Sequence, residues 1–119
     1  MTIEEKMRIV QELVPGKQVT LAHLIAHPDP VLYVKMGLTA TETETTEAIG
    51  ILTVTPPEAA VILADVATKA SGVTLGFVDR FSGTVIVTGT VSQVEAALER
   101  ARDYARDKLG CAACELTKT

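Results

Sequence analysis

The segment "TPPEAAVILADVATKASG", residues 55 to 72, constrains this chain more than any other. Thr55 suits a helix cap, the two prolines suit its first turn, Glu58 stands where a capping box needs it, and Gly72 ends the run. Its Ala, Val, Ile and Leu residues fall on more than one face, which predicts a well-buried helix. Such a helix needs a sheet to lie on. The flanks supply one, with "AIGILTVT" (48–55) before it and "VTLGFVDR" (73–80) and "TVIVTGT" (84–90) after it. The last two are joined by the short turn Phe81-Ser82-Gly83.

A second helix follows in "TVSQVEAALERARDYARDKLG", with Thr90 or Ser92 at the cap and Gly110 as the stop. Val91, Val94, Leu98, Ala101, Tyr104 or Ala105, and Leu109 form one apolar stripe, as on an amphipathic surface helix. "CAACELTKT" (111–119) reads as a closing strand. From Ala48 onward the order is therefore β-α-β-β-α-β, an α/β (α+β) arrangement of ferredoxin-like type. Ahead of it, "KQVTLAHLIA" reads as a strand and "DPVLYVKMG" as a short helix capped by Asp29, opened by Pro30 and stopped by Gly37. Residues 8 to 14, "RIVQELV", read as a strand or a turn of helix, cut off by Pro15-Gly16. The Thr/Glu run 39–47 reads as an acidic loop, because ligating carboxylates need a convergence that such a run does not supply.

Composition narrows the function. Of 119 residues, 47% are hydrophobic, mostly small aliphatics, with no Trp, two Tyr and two Phe. That surplus predicts subunit contacts and an oligomer. No run approaches the roughly 20 apolar residues of a membrane span, and the N-terminus lacks the pattern of a signal peptide, so a soluble cytosolic protein is expected. A net charge of −4 without a Lys/Arg cluster argues against nucleic acid.

Catalytic signals are weak. His23 and His27 would share a metal on a helix, but on a strand they stand about 13 Å apart. Pro28 favours extended backbone at His27, and no H-E-x-x-H glutamate lies between them. Cys111-Ala-Ala-Cys114 follows a helix instead of opening one, so packing is expected over redox chemistry. Gly16-Lys17 lacks the rest of a phosphate loop, and no serine sits in a nucleophile elbow. No enzyme, metal or cofactor is expected. A ferredoxin-like module binding a small metabolite between subunits is the alternative.

The wording of three segments goes further. "RIVQELVPGKQVTLAHLIAHP", "AIGILTVTPPEAAVILADVATKASGVTLGFVDRFSGTVIVTG" and "CAACELTKT" together resemble the circularly permuted shell proteins of bacterial microcompartments, of the types known from ethanolamine, propanediol and choline utilisation. The resemblance implies a permuted BMC-domain fold over residues 17–119, with residues 1–16 as an N-terminal extension. It implies hexameric discs that tile with other shell proteins into a selective barrier around cytosolic enzymes. Arg8, Ile9, Val10, Gln11, Glu12, Leu13 and Val14 would form one strand of a six-chain β-barrel capping the pore. Lys69 matches the lysine at the hexagon edge, against the plainer reading of a solvated helix-terminal cation. Arg80, Phe81, Ser82 and Gly83 match the loop near the sixfold axis, where they either line the opening or only form the turn. The acidic run 39–47 is longer than the resemblance leads one to expect.

Overall fold

Two helices lie on one face of a mixed sheet and a third, shorter one lies on the other; the computed structural model describes residues 16–38 and 47–119. In chain order the elements are β1 (Gln18–Ile25), α1 (Pro30–Met36), β2 (Ala48–Thr55), α2 (Ala59–Ala70), β3 (Thr74–Asp79), β4 (Thr84–Gly89), α3 (Val91–Lys108), β5 (Ala112–Ala113) and β6 (Thr117–Lys118). The sheet runs β3-β4-β2-β1-β5, with β6 also on β1. Pairings are antiparallel from β3 through to β1, and β5 and β6 join β1 in parallel.

This order keeps the β-α-β-β-α-β succession and changes the place of the strand ahead of it. β1 is not an addition at the rim: it lies between β2 and the C-terminal strand. Succession along the chain carries no information on such lateral insertion. The closing strand is also shorter than 111–119. It touches β1 in two two-residue pairs, Gln18–Ala112 with Val19–Ala113 and His23–Thr117 with Leu24–Lys118, separated by an unpaired stretch.

Alternation along the strands divides the core. Leu24, Leu52, Val54, Val85 and Val87 pack under α2 and α3, while Ile49 and Ile86 face the opposite way and meet Tyr33 and Leu38 at α1. At Gly50 α3 comes close to the sheet: a Cβ there would stand 2.6 Å from Val94 Cγ1 and 3.0 Å from Val87 Cγ2. The missing side chain is what lets the helix settle on the sheet.

The helix ends show which local signals governed. At α3 the cap is Thr90, whose hydroxyl accepts from Gln93 N while Gln93 Oε1 accepts from Thr90 N, a complete capping box. α1 begins with Asp29 accepting from Val31 N and ends with Gly37 in the left-handed region, as its residues predict. α2 departs from expectation. Its cap position is Glu58, not Thr55, and no side chain caps it. The carbonyls of Pro56 and Pro57 instead take the Ala59 and Ala60 amides, so a tight turn satisfies the first donors in place of a capping box. Nor is α2 buried on several sides: Val61 and Ile62 remain 53% and 44% exposed in the single chain.

Candidate assembly surface

The sheet ends on an apolar strand. β3 is exposed along nearly its whole length, and Leu75, Phe77 and Val78 are among the exposed large hydrophobics. Its register against β4 slips between Leu75 and Phe77, which interrupts the ladder at Gly76. An edge strand with unpaired backbone and apolar side chains is a template for another chain. Together with Val61 and Ile62 it gives the aliphatic surplus a location.

The turn between β3 and β4 is tightly organised. Asp79 accepts from Phe81 N through Oδ1 and from Ser82 Oγ through Oδ2, both at 2.8 Å, and Gly83 N donates to Asp79 O at 2.9 Å. These donors hold the Asp79 carboxyl below its ordinary value, the Phe81 amide foremost and the Ser82 hydroxyl next. Gly83 has φ 78°, and a Cβ would run into the Val54 carbonyl and stand 3.1 Å from Pro57 Cα. No other residue fits there. Its own carbonyl accepts from Val54 N at 2.9 Å, so the hairpin is stitched to the end of β2. Phe81 sits at the tip, 79% exposed, with the Arg80 guanidinium 5.0 Å from its ring centroid.

Lys69 lies in the last turn of α2, exposed, with Nζ 2.9 Å from Asp65 Oδ2 one turn earlier. The hairpin and Lys69 are thus placed on different elements, the β3–β4 turn and the end of α2. Residues 8–14 lie outside the described residues, as does nearly all of the acidic run 39–47.

A hollow of about 230 Å³ lies beside the start of α2, lined by Lys17, Pro56, Glu58, Ala59, Ile62, Leu109 and Cys111. Cys111 is 5% exposed, and burial pushes its thiol up despite the nearby Lys17 charge. The thiol is free, as is that of half-buried Cys114. Sequence reading did not find this hollow, because its lining comes from three separated stretches of chain.

The histidines are not gathered. His23 is on β1, with Nδ1 2.6 Å from Thr117 Oγ1 and Nε2 2.8 Å from Thr119 Oγ1. His27 follows the strand and is exposed. Among the described residues no three His, Cys, Asp or Glu converge to hold a metal ion, and no helix is long and apolar enough to cross a membrane.

Comparison with known proteins decides the family. The BMC domain profile matches residues 48–115, more than half of the chain. The chain belongs to the bacterial microcompartment shell-protein family. This shell protein is 49% identical over 112 residues to the shell protein PduU of Salmonella typhimurium, covering 94% of this chain and 93% of that one. It is 51% identical over 114 residues to EutS of the same organism, covering 96% and 98%. Among solved structures it superposes on a CutR flat hexamer chain with TM-score 0.80 at 42% identity, covering 91% of this chain and 95% of that one. A fused permuted hexameric shell protein of the RMM microcompartment shares the fold, with TM-score 0.67 at 21% identity over 76% of this chain and 48% of that one. The profile match starts at β2, so β1 and α1 precede it in this shell protein even though β1 lies inside the sheet. The metabolite-binding regulatory alternative finds no support in these relatives.

Proposed function

We propose that six copies of this shell protein close into a disc and that discs tile, with other shell proteins, into a selectively permeable wall around enzymes in the bacterial cytoplasm. The observation that carries this reading is the exposed apolar strand β3 on a chain that superposes on a subunit of a flat hexamer. Burying such an edge against a neighbour removes both its unpaired backbone and its apolar surface from water.

In this reading residues 17–119 are the disc-forming domain and residues 1–16 an extension, with Arg8 to Val14 supplying one strand of a barrel over the axis. Arg80 to Gly83 lie near the axis, and Lys69 lies on the rim against a neighbouring disc. The protein is structural and catalyses nothing. The names of its relatives support this, since each is a shell protein. Sedimentation of the purified chain at micromolar concentration should give hexamers, and deleting residues 1–14 should leave them intact while opening the axis in electron micrographs. A monomer or dimer of the full chain would remove the reading.

A further inference from the structure

Phe81 is the most exposed of the large hydrophobic side chains among the described residues, with the Arg80 guanidinium over its ring. The hollow beside α2 is lined by Pro56, Ala59, Ile62, Leu109 and Cys111 and carries one carboxylate, Glu58, at its rim. An apolar cavity of roughly 150 Å³ accommodates a benzene ring, so about 230 Å³ is ample for a phenyl group. We propose that the hollow is the receptor for Phe81 of the adjacent copy in the hexamer, with Arg80 of that copy paired to Glu58. This inference rests on the hexamer reading and adds the contact that closes the ring.

Two observations favour a second copy over another occupant. Charge is complementary: the tip carries Arg80 beside its aromatic ring, and the hollow offers Glu58 for it, while Lys17 on the same lining repels Arg80 and so selects the Glu58 side. Position is also suitable. Gly83 packs against Pro57 and its carbonyl holds Val54 N, so plug and hollow lie at the same end of the sheet. Around a rotation axis passing that end, the tip of one copy meets the same end of the next, giving a head-to-tail contact that repeats until the ring closes.

The test uses the native thiol of the hollow. In a Cys114→Ser background, Phe81→Cys should place a new thiol against Cys111 of the neighbour. Oxidation with copper–phenanthroline should then give covalent oligomers up to six chains on a non-reducing gel, and a further Cys111→Ser change should abolish them. Hexamers in sedimentation without a ladder, or a ladder that persists after Cys111→Ser, would overturn the contact and leave the hexamer reading standing. Monomeric wild-type protein would remove both. A second pair of variants covers the case where Phe81→Cys does not assemble. Glu58→Arg and Arg80→Glu should each lower the thermal midpoint of the hexamer, and the double variant should recover most of the loss; additive losses would overturn the pairing.

Discussion

His23 Nδ1 lies 2.6 Å from Thr117 Oγ1, joining the middle of β1 to a strand 94 residues further on. The Thr117 hydroxyl also reaches Ala22 O at 3.4 Å, so it accepts from Nδ1–H and leaves Nε2 to accept from Thr119. This ring compensates for the brevity of β6, which pairs with β1 through only His23–Thr117 and Leu24–Lys118. His23→Ala should cost on the order of 1 kcal/mol. Hydrogen exchange should show the loss as lowered protection at the Thr119 amide, which donates to Leu24 O at 2.8 Å. Unchanged protection would mean that the backbone pairs alone hold the strand.

The hairpin carries a pH signature. The Asp79 carboxyl is held below its ordinary 3.8 by the Phe81 and Ser82 donors. A depressed folded-state value contributes stability that is fully present above the unfolded value and lost as pH falls through the folded one. The stability difference between wild type and Asp79→Asn should therefore be constant at neutral pH and shrink below about pH 4. Urea titrations across that range check it; a difference growing toward low pH would contradict it.

Gly50→Ala should destabilise the fold by roughly 1–3 kcal/mol, because a methyl group there overlaps the branched end of Val94 and forces α3 off the sheet. Urea unfolding at fixed protein concentration measures it. A neutral result would show that α3 shifts freely.

Much of this was legible from local chemistry. Asp29 with Gly37, and Thr90 or Ser92 with Gly110, marked their helices because such residues satisfy backbone donors or acceptors at the ends, and of the two caps it is Thr90 that does so. Thr55 with Glu58 carried the same signal and misled, because Pro56 and Pro57 folded into a turn that supplied the acceptors instead. The exposure of Val61 and Ile62 was hidden for another reason: hydrophobic periodicity records that a residue leaves water and not which chain covers it. The Phe81-Ser82-Gly83 turn was legible locally, whereas the assembly roles proposed for it and for Lys69 came only from the resemblance of the surrounding segments. The part of Asp79 as the acceptor that shapes the turn depended on backbone geometry.

At Lys69 the two readings separate by magnitude. An exposed i,i+4 pair with Asp65 is worth about 0.3–0.5 kcal/mol, so Lys69→Ala should barely change the melting temperature or the hexamer. If the lysine lies between discs, the variant should nevertheless form fewer or smaller sheets in electron micrographs. Sheets equal to wild type would return Lys69 to the role of a helix-terminal cation.

Four of the five buried residues of α2 are alanines, at 59, 60, 64 and 67. With so little side chain between them, helix and strands lie close together. A bulkier residue at any of the four would lift α2 from the sheet and carry the exposed Val61 and Ile62 with it, so spacing inside the subunit also sets where its apolar outer surface stands.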